Sequence, residues 1–255
     1  MISYKQILDW FLGTLFPPLC VGCGFVLGDD KKYKCFCKEC FNSIKLQNRF
    51  VCVFCDSRST AGKTCPFCIR TSHLDQLLTA AEYGGVVRRA VKETKYRYIK
   101  NIAEDLSGLF GKFIAKQARA GKLQLTGGEV IIPVPLNRLR FNKRGFNQAQ
   151  VFAVSAGAIT GLAVADEVIE RKFGGSPQAD IKVKSERLKN AEGKYRCAKP
   201  ELVKGKTIWL VDDVATTGST LEDCARALKE AGASYVVGLA FAKGKLNKNR
   251  IKKLE

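Results

Sequence analysis

The run from 208 to 220 constrains the fold of this chain more than any other segment. Four apolar residues, 208–211, are followed at once by two acids, Asp212 and Asp213, and then by a loop of small residues. Positions 221–231 repeat apolar side chains at helical spacing. A short continuous apolar run is typical of a parallel strand that is buried on both faces. The segment therefore predicts a strand, a loop and a helix of an open α/β sheet.

The polar residues of this run stand where such a sheet binds its ligands, outside the carboxyl ends of the strands. Backbone N–H groups at the start of a helix favour phosphate, and hydroxyl side chains add further donors. Two adjacent carboxylates just before them suit the vicinal hydroxyls of a ribose. We therefore predict a ribose 5-phosphate site formed by the acids and by a phosphate loop of Ala215, Thr216, Thr217, Gly218, Ser219 and Thr220.

A plainer interpretation is an ordinary buried strand that ends in a capped helix, since Asp, Thr and Ser are common N-cap residues. A cap needs only one acid, however, and this run has two in succession. The run resembles the phosphoribosyl pyrophosphate (PRPP) signature of the type I phosphoribosyltransferases. The resemblance implies that Asp212 and Asp213 are catalytic residues that hold the ribose hydroxyls, and that the loop binds the 5-phosphate.

Cysteine spacing predicts a metal-binding module near the N-terminus. Nine of the eleven cysteines lie between residues 20 and 68, and eight of them form four C-x-x-C pairs. Such pairs are typical of structural zinc sites with four thiolate ligands. A secreted disulfide framework is the alternative, and the regular pairing disfavours it. The predicted ligands of one or two Zn²⁺ ions are Cys20, Cys23, Cys37, Cys40, Cys52, Cys55, Cys65 and Cys68; sequential and cross-braced pairing both stay open.

Strand-like and helix-like patterns alternate from residue 79 onward, which argues for a parallel sheet. The predicted strands are 80–83, 130–134, 208–211 and 235–242. An amphipathic helix is expected over 102–114, and further helices over 149–159 and 221–231. The fold class is α/β, a type I phosphoribosyltransferase-like parallel sheet flanked by helices, with a small cysteine-rich zinc module. The predicted domains are an amphipathic helix at 1–19, a double zinc-ribbon-like module at 20–70, a phosphoribosyltransferase domain at 79–243 and a basic tail at 244–255.

A net charge of +19 favours polyanionic partners, either nucleic acid or phosphorylated small molecules. Phe36, Phe54 and Phe67 of the zinc module are candidates for stacking on single-stranded nucleic acid, although buried packing explains them equally well. The chain has no run of about 18 apolar residues, so no transmembrane segment is expected. The helix at 1–19 leaves peripheral membrane contact open. We interpret the single histidine, His73, as an incidental surface residue.

Two further segments carry cations that suit phosphate. The basic loop 135–148 follows the strand at 130–134 and predicts a second phosphate-binding site, with a solvated loop as the alternative. The long loop 171–196 is typical of either a lid or a disordered insertion. A lid would exclude water from a reactive sugar cation.

Taken in order, these parts resemble the ComF family of competence-associated proteins. The resemblance rests on the cysteine pairs, on Arg-Gly-Phe-Asn-Gln at 144–148, and on the run 212–220. It implies that 138–148 is the pyrophosphate loop and 171–196 a flexible catalytic hood, although the hood lacks the usual Leu-Ser before its Glu-Arg pair. The pyrophosphate and flexible-loop residues it implies are Lys95, Arg140, Arg144, Gly145, Asn147, Gln148 and Arg187.

The resemblance also implies a cytoplasmic protein that binds PRPP and is associated with natural competence and the uptake of single-stranded DNA. One hypothesis is an enzyme that transfers the phosphoribosyl group of PRPP with the help of Mg²⁺. The other is a catalytically silent PRPP or nucleotide sensor, or a DNA-binding adaptor for the competence machinery. A nucleobase phosphoribosyltransferase of salvage is a further alternative, and no nucleobase pocket can be read from the sequence.

Overall fold

The structure is a computed structural model that describes residues 17–28, 32–97, 99–123, 125–172 and 193–244. Three predictions fall wholly or mostly outside these ranges. They are the helix at 1–19, the long loop at 171–196 with Arg187, and the basic tail at 244–255.

Five parallel strands form the central sheet. The described part of the chain contains seven strands in all: β1 (Gln76–Glu82), β2 (Val130–Pro133), β3 (Ala163–Val164), β4 (Ile169–Arg171), β5 (Tyr195–Cys197), β6 (Thr207–Ala215) and β7 (Tyr235–Lys243). The sheet has the order β1-β7-β6-β2-β3, and every neighbouring pair in it is parallel. The strands β4 and β5 form a separate antiparallel pair. The predicted α/β class is confirmed.

Six α-helices accompany the sheet in the described part of the chain. They are α1 (Lys38–Asn42), α2 (Gly85–Tyr96), α3 (Lys100–Arg119), α4 (Arg138–Arg144), α5 (Gln148–Thr160) and α6 (Ser219–Glu230). The helix α5 ends where the sequence predicted, because Gly161 adopts the left-handed conformation with φ of 75° that closes many helices. The predicted loop 135–148 is wrong in one respect, since its centre is the short helix α4, capped at its start by the side chain of Asn137.

Alternate side chains of β6 enter two hydrophobic clusters, one on each face of the sheet. Trp209 packs in the cluster that contains Phe110 of α3 and Phe152 of α5. Leu210 packs in the cluster that contains Leu221 of α6. Burying each such side chain contributes about 1.5–3 kcal/mol, so the continuous apolar run 208–211 follows from burial on both faces.

Two strands are longer than their predictions. The strand β6 does not end before the acids but continues to Ala215, because it stays paired with β7 through Ala215 and Lys243. The strand β1 begins at Gln76 instead of residue 80. The buried Gln76 side chain donates hydrogen bonds to the backbone oxygens of Ala61 and Lys122, and this pairing lets a polar residue occupy the sheet.

The cysteine-rich segment is packed on the α/β core. Phe36, Phe41 and Phe50 belong to the same cluster as the residues of α3 and α5. Backbone bridges join Leu46 to Ala81 and Lys63 to Gln76 in β1. The segment therefore completes one hydrophobic core together with the sheet. Among the described helices, none is long and apolar enough to cross a bilayer.

Candidate functional site

A cleft of about 190 Å³ opens at the carboxyl ends of β2 and β6. Its walls come from the end of α2, from α4, from the first turns of α5 and α6, and from the β4–β5 pair. Eight of the predicted site residues line it, namely Lys95, Arg140, Arg144, Asn147, Gln148, Asp212, Asp213 and Thr220. Residues that lie far apart in the chain thus meet at the edge where α/β sheets bind ligands.

The two acids of β6 form the floor of the cleft. The Asp213 carboxylate lies 2.6 Å from the Lys95 ammonium in the last turn of α2. The Asp213 backbone N–H donates to Asp212 Oδ1 over 2.7 Å. Burial is the main cause that raises the pKa of Asp212 to about 8; the charge of Asp213 adds to the rise and Lys95 opposes it. Burial and the neighbouring charge therefore favour the neutral form of the Asp212 carboxyl more than in an exposed aspartate.

Several polar residues of 144–148 hold the backbone in place. Gly145 ends α4 with φ of 72°, in the left-handed region that glycine occupies at low cost. The Asn147 side chain accepts from Ala149 N–H at the start of α5 and donates to the Val134 oxygen. Arg144 donates to Gln148 Oε1 over 3.2 Å. Asn147 and Gln148 thus tie α4 and α5 to the end of β2, and Arg140 is an exposed cation above them.

The predicted phosphate loop surrounds the start of α6. Of its residues, Thr220 lines the cleft, whereas Ala215, Thr216, Thr217, Gly218 and Ser219 lie beside it. Gly218 is buried with φ of 72° and occupies the N-cap position of α6. The hydroxyl of Thr217 donates to that of Ser219 over 3.0 Å. The loop therefore presents the N-terminus of α6 toward the acids of β6.

Two cleft residues were missed by sequence reasoning. Arg171 and Tyr195 line the cleft from β4 and β5, and the sequence prediction placed both in one long loop. Burial is the main cause that raises the pKa of Tyr195 to about 12. The alternation of apolar and polar residues at 195–197 was the only local signal, and three residues are too few to assign a strand.

The eight paired cysteines form two clusters. One contains Cys20, Cys23, Cys37 and Cys40, and the other contains Cys52, Cys55, Cys65 and Cys68, with all sulfur atoms of a cluster within 4.8 Å of one another. The sequential pairing is confirmed and the cross-braced alternative is wrong. Cys23 and Cys37 have sulfurs 3.9 Å apart, and Cys55 and Cys65 have sulfurs 3.7 Å apart. Four thiolates at about 2.3 Å from a tetrahedral Zn²⁺ ion are about 3.8 Å apart, so both clusters could hold zinc.

The second cluster supports the phosphate loop from outside the cleft. Val53, between Cys52 and Cys55 of this cluster, contacts Gly218 so closely that a Cβ there would lie 2.8 Å from Val53 Cγ2. After the last ligand, His73 is not an incidental surface residue. Its backbone N–H and its ring both contact Glu222 in the first turn of α6, each over 2.8 Å. The Ser72 hydroxyl and the Leu74 backbone N–H also donate to Glu222.

Known proteins similar to this chain include a family match and several relatives. Residues 141–252 match the family described as Phosphoribosyl transferase domain. The DNA utilization protein YhgH of Escherichia coli O157:H7 is 29% identical over 216 residues, which cover 78% of this chain and 93% of that protein. The competence protein ComFC of Bacillus subtilis strain 168 is 27% identical over 231 residues, which cover 84% of each. The glutamine PRPP amidotransferase of B. subtilis superposes with a TM-score of 0.38 at 18% identity, over 55% of this chain and 26% of that one.

The parallel sheet, the family match and the acids at the end of β6 define a phosphoribosyltransferase-like protein. In this class the site lies at the carboxyl edge of the sheet. Its two cysteine clusters and its similarity to the competence and DNA utilization proteins fit the ComF family that the sequence resembles.

Proposed function

We propose that the cleft binds PRPP. The observation that carries this proposal is the meeting, in one cleft, of an acid pair with three cations from α2 and α4. Beside the Lys95–Asp213 pair, Arg140 and Arg144 of α4 add positive charge that suits a ligand with several phosphate groups. An acidic floor beside a cationic wall suits a molecule that carries both hydroxyls and phosphates.

Each part of PRPP then has a partner. Asp212 and Asp213 hold the two ribose hydroxyls through their carboxyl oxygens. The loop 215–220 and the N-terminus of α6 bind the 5-phosphate. Arg140 and Arg144 hold the diphosphate. The oxygen-rich acids also fit Mg²⁺, which protein sites hold through few carboxylates together with substrate phosphates.

Calorimetry with PRPP and Mg²⁺ tests the assignment. We expect the wild type to bind and the double variant Asp212→Ala/Asp213→Ala to lose binding. Asp166→Ala is the matched control, because this exposed acid contacts Gln150 and lies outside the cleft. Equal binding by wild type and double variant refutes the site.

Turnover is a separate question from binding. In an enzyme, the bond from the ribose anomeric carbon to the diphosphate breaks, the diphosphate leaves with the electron pair, and an acceptor nitrogen forms the new bond. The cations of α4 would stabilise the leaving charge. A pyrophosphate-release assay across nucleobases separates this activity from a silent PRPP or nucleotide sensor, which binds PRPP and releases none.

We further propose a cytoplasmic role in the handling of single-stranded DNA during competence, with zinc in both cysteine clusters. The names of the relatives and the charge of +19 support this proposal. Of the three stacking candidates, Phe36 is buried and Phe67 is 66% exposed. We expect Phe67→Ala to weaken salt-dependent binding of a single-stranded oligonucleotide. Phe25→Ala, at an equally exposed site near the first cluster, is the control. Equal affinities of Phe67→Ala and wild type exclude stacking on Phe67.

A further inference from the structure

The β4–β5 pair brings two polar side chains into the cleft from opposite ends of the segment 172–194. Arg171 and Tyr195 are direct partners in the antiparallel register. Both line the cleft that holds Asp212. Arg196, the next residue of β5, instead pairs with Glu170 over 2.7 Å and does not line the cleft. Because successive side chains of a strand point to opposite faces, Arg171 and Tyr195 face the cleft, whereas the adjacent pair of Glu170 and Arg196 faces away from it.

Tyr195 offers an unused hydrogen-bond donor. The residue is only 8% exposed, and its ring packs in the cluster beneath α6. Within the described ranges, no hydrogen bond to its hydroxyl is found, although buried tyrosine hydroxyls usually have a partner. Tyr195 is paired with Arg171 across the two strands, and both residues line the same cleft as Asp212.

Arg171 offers an unpaired cation. Among the residues that the structure describes, no carboxylate forms an ion pair with its exposed guanidinium, in contrast to Lys95, which is paired with Asp213. A planar guanidinium can donate two parallel hydrogen bonds to a phosphate group. Its place beside the acid floor suits the diphosphate end of the ligand proposed above.

We propose that Arg171 and Tyr195 are ligand-binding residues of this site: Tyr195 donates its hydroxyl proton to the ribose hydroxyl held by Asp212, and Arg171 binds the diphosphate. This inference rests on the proposed binding of PRPP and adds two residues of the β4–β5 pair to its site. It assigns the small β4–β5 pair a role in ligand binding.

Titration calorimetry with two ligands, PRPP with Mg²⁺ and ribose 5-phosphate, separates the two roles. Tyr195→Phe keeps the buried ring, and we expect it to weaken both ligands by about tenfold, the cost of one hydrogen bond. Arg171→Gln is expected to weaken PRPP by about tenfold or more and to leave ribose 5-phosphate unchanged. Arg171→Lys is expected to restore part of the PRPP affinity, because it keeps the charge and loses the planar fork.

Arg196→Gln is the matched control, since it alters the same strand pair on the face away from the cleft, and we expect wild-type affinity for both ligands. Thermal unfolding of every variant verifies that the fold is kept. If the wild type binds PRPP and both Tyr195→Phe and Arg171→Gln bind it as tightly, this inference is overturned and the proposed function stands. If the wild type itself binds no PRPP, both the proposed function and this inference are refuted.

Discussion

Gly218 joins the proposed phosphate loop to the second cysteine cluster, and its replacement by alanine tests that connection. The residue occupies the N-cap position of α6 with φ of 72°. A Cβ added there would lie 2.8 Å from Cγ2 of the buried Val53, closer than two carbon atoms approach without displacement. Gly218→Ala therefore strains both the backbone and the contact between the two segments.

The two costs can be separated with a second glycine. An L-residue in the left-handed region costs about 1–2 kcal/mol, and overpacking a close contact costs about 1–3 kcal/mol. Gly205 has φ of 71°, and no described atom lies within 4 Å of a Cβ added to it. We expect Gly205→Ala to lower the free energy of unfolding by about 1–2 kcal/mol. Gly218→Ala should lower it by about 3 kcal/mol, because it bears both costs.

Urea unfolding of the zinc-loaded protein measures these free energies, and a double-mutant cycle with Val53→Ala checks the cause. Removing the Val53 methyl groups relieves the clash, so the double variant is expected to lose about 1–2 kcal/mol less than the sum of the single variants. Ribose 5-phosphate affinity should fall in Gly218→Ala and stay unchanged in Gly205→Ala. Equal destabilisation by the two alanine variants, together with additivity in the cycle, would refute the close packing of Val53 on the loop.

Three further predictions concern charge, metal and the contacts of α6. Folding raises the pKa of Asp212 from 3.8 to about 8, so stability falls as pH rises between these values. Urea unfolding at pH 5 and pH 8 should therefore show Asp212→Asn stabilised relative to wild type mainly at pH 8. An equal difference at both pH values would contradict this. Cys65→Ser is expected to lose one of two zinc equivalents by elemental analysis, whereas Cys35→Ser, outside both clusters, keeps both; retention of both by Cys65→Ser argues against the second site. Glu222→Gln weakens the hydrogen bonds that this side chain accepts, and each such bond to a charged group contributes about 1.5–3 kcal/mol. The midpoint temperature of thermal unfolding should therefore be well below that of the exposed control Glu230→Gln. Equal midpoints would exclude a stabilising role for Glu222.

The local sequence pattern was sufficient to predict a strand or helix where its buried residues recur at a regular spacing. The apolar run 208–211 and the repeat of α3 predicted their elements because the residues on each buried face recur at strand or helix spacing. The end of β6 was predicted too early, since polar residues normally signal a loop. Pairing with β7 keeps Asp212 and Asp213 in the strand, where the Lys95 ammonium neutralises Asp213 and burial raises the pKa of Asp212.

The cleft itself was predictable in part. Asp212, Arg140 and Lys95 carried a recognisable signature or a resemblance, and the fold places them together. Arg171 and Tyr195 carried neither, because they reach the cleft through a three-residue strand pair whose partners are far apart in sequence. His73 was misread for the same reason: its partner Glu222 lies on a distant helix.

By itself, the sequence determined the class of fold, the cysteine pairs and the acid-plus-loop signature, because each depends on spacing within a single element. The tertiary structure decided how the cysteine pairs combine, which cations face the acids, how far burial raises the pKa of Asp212, and that the second cluster supports the phosphate loop. These properties depend on distances and solvent exclusion between segments that only folding brings together.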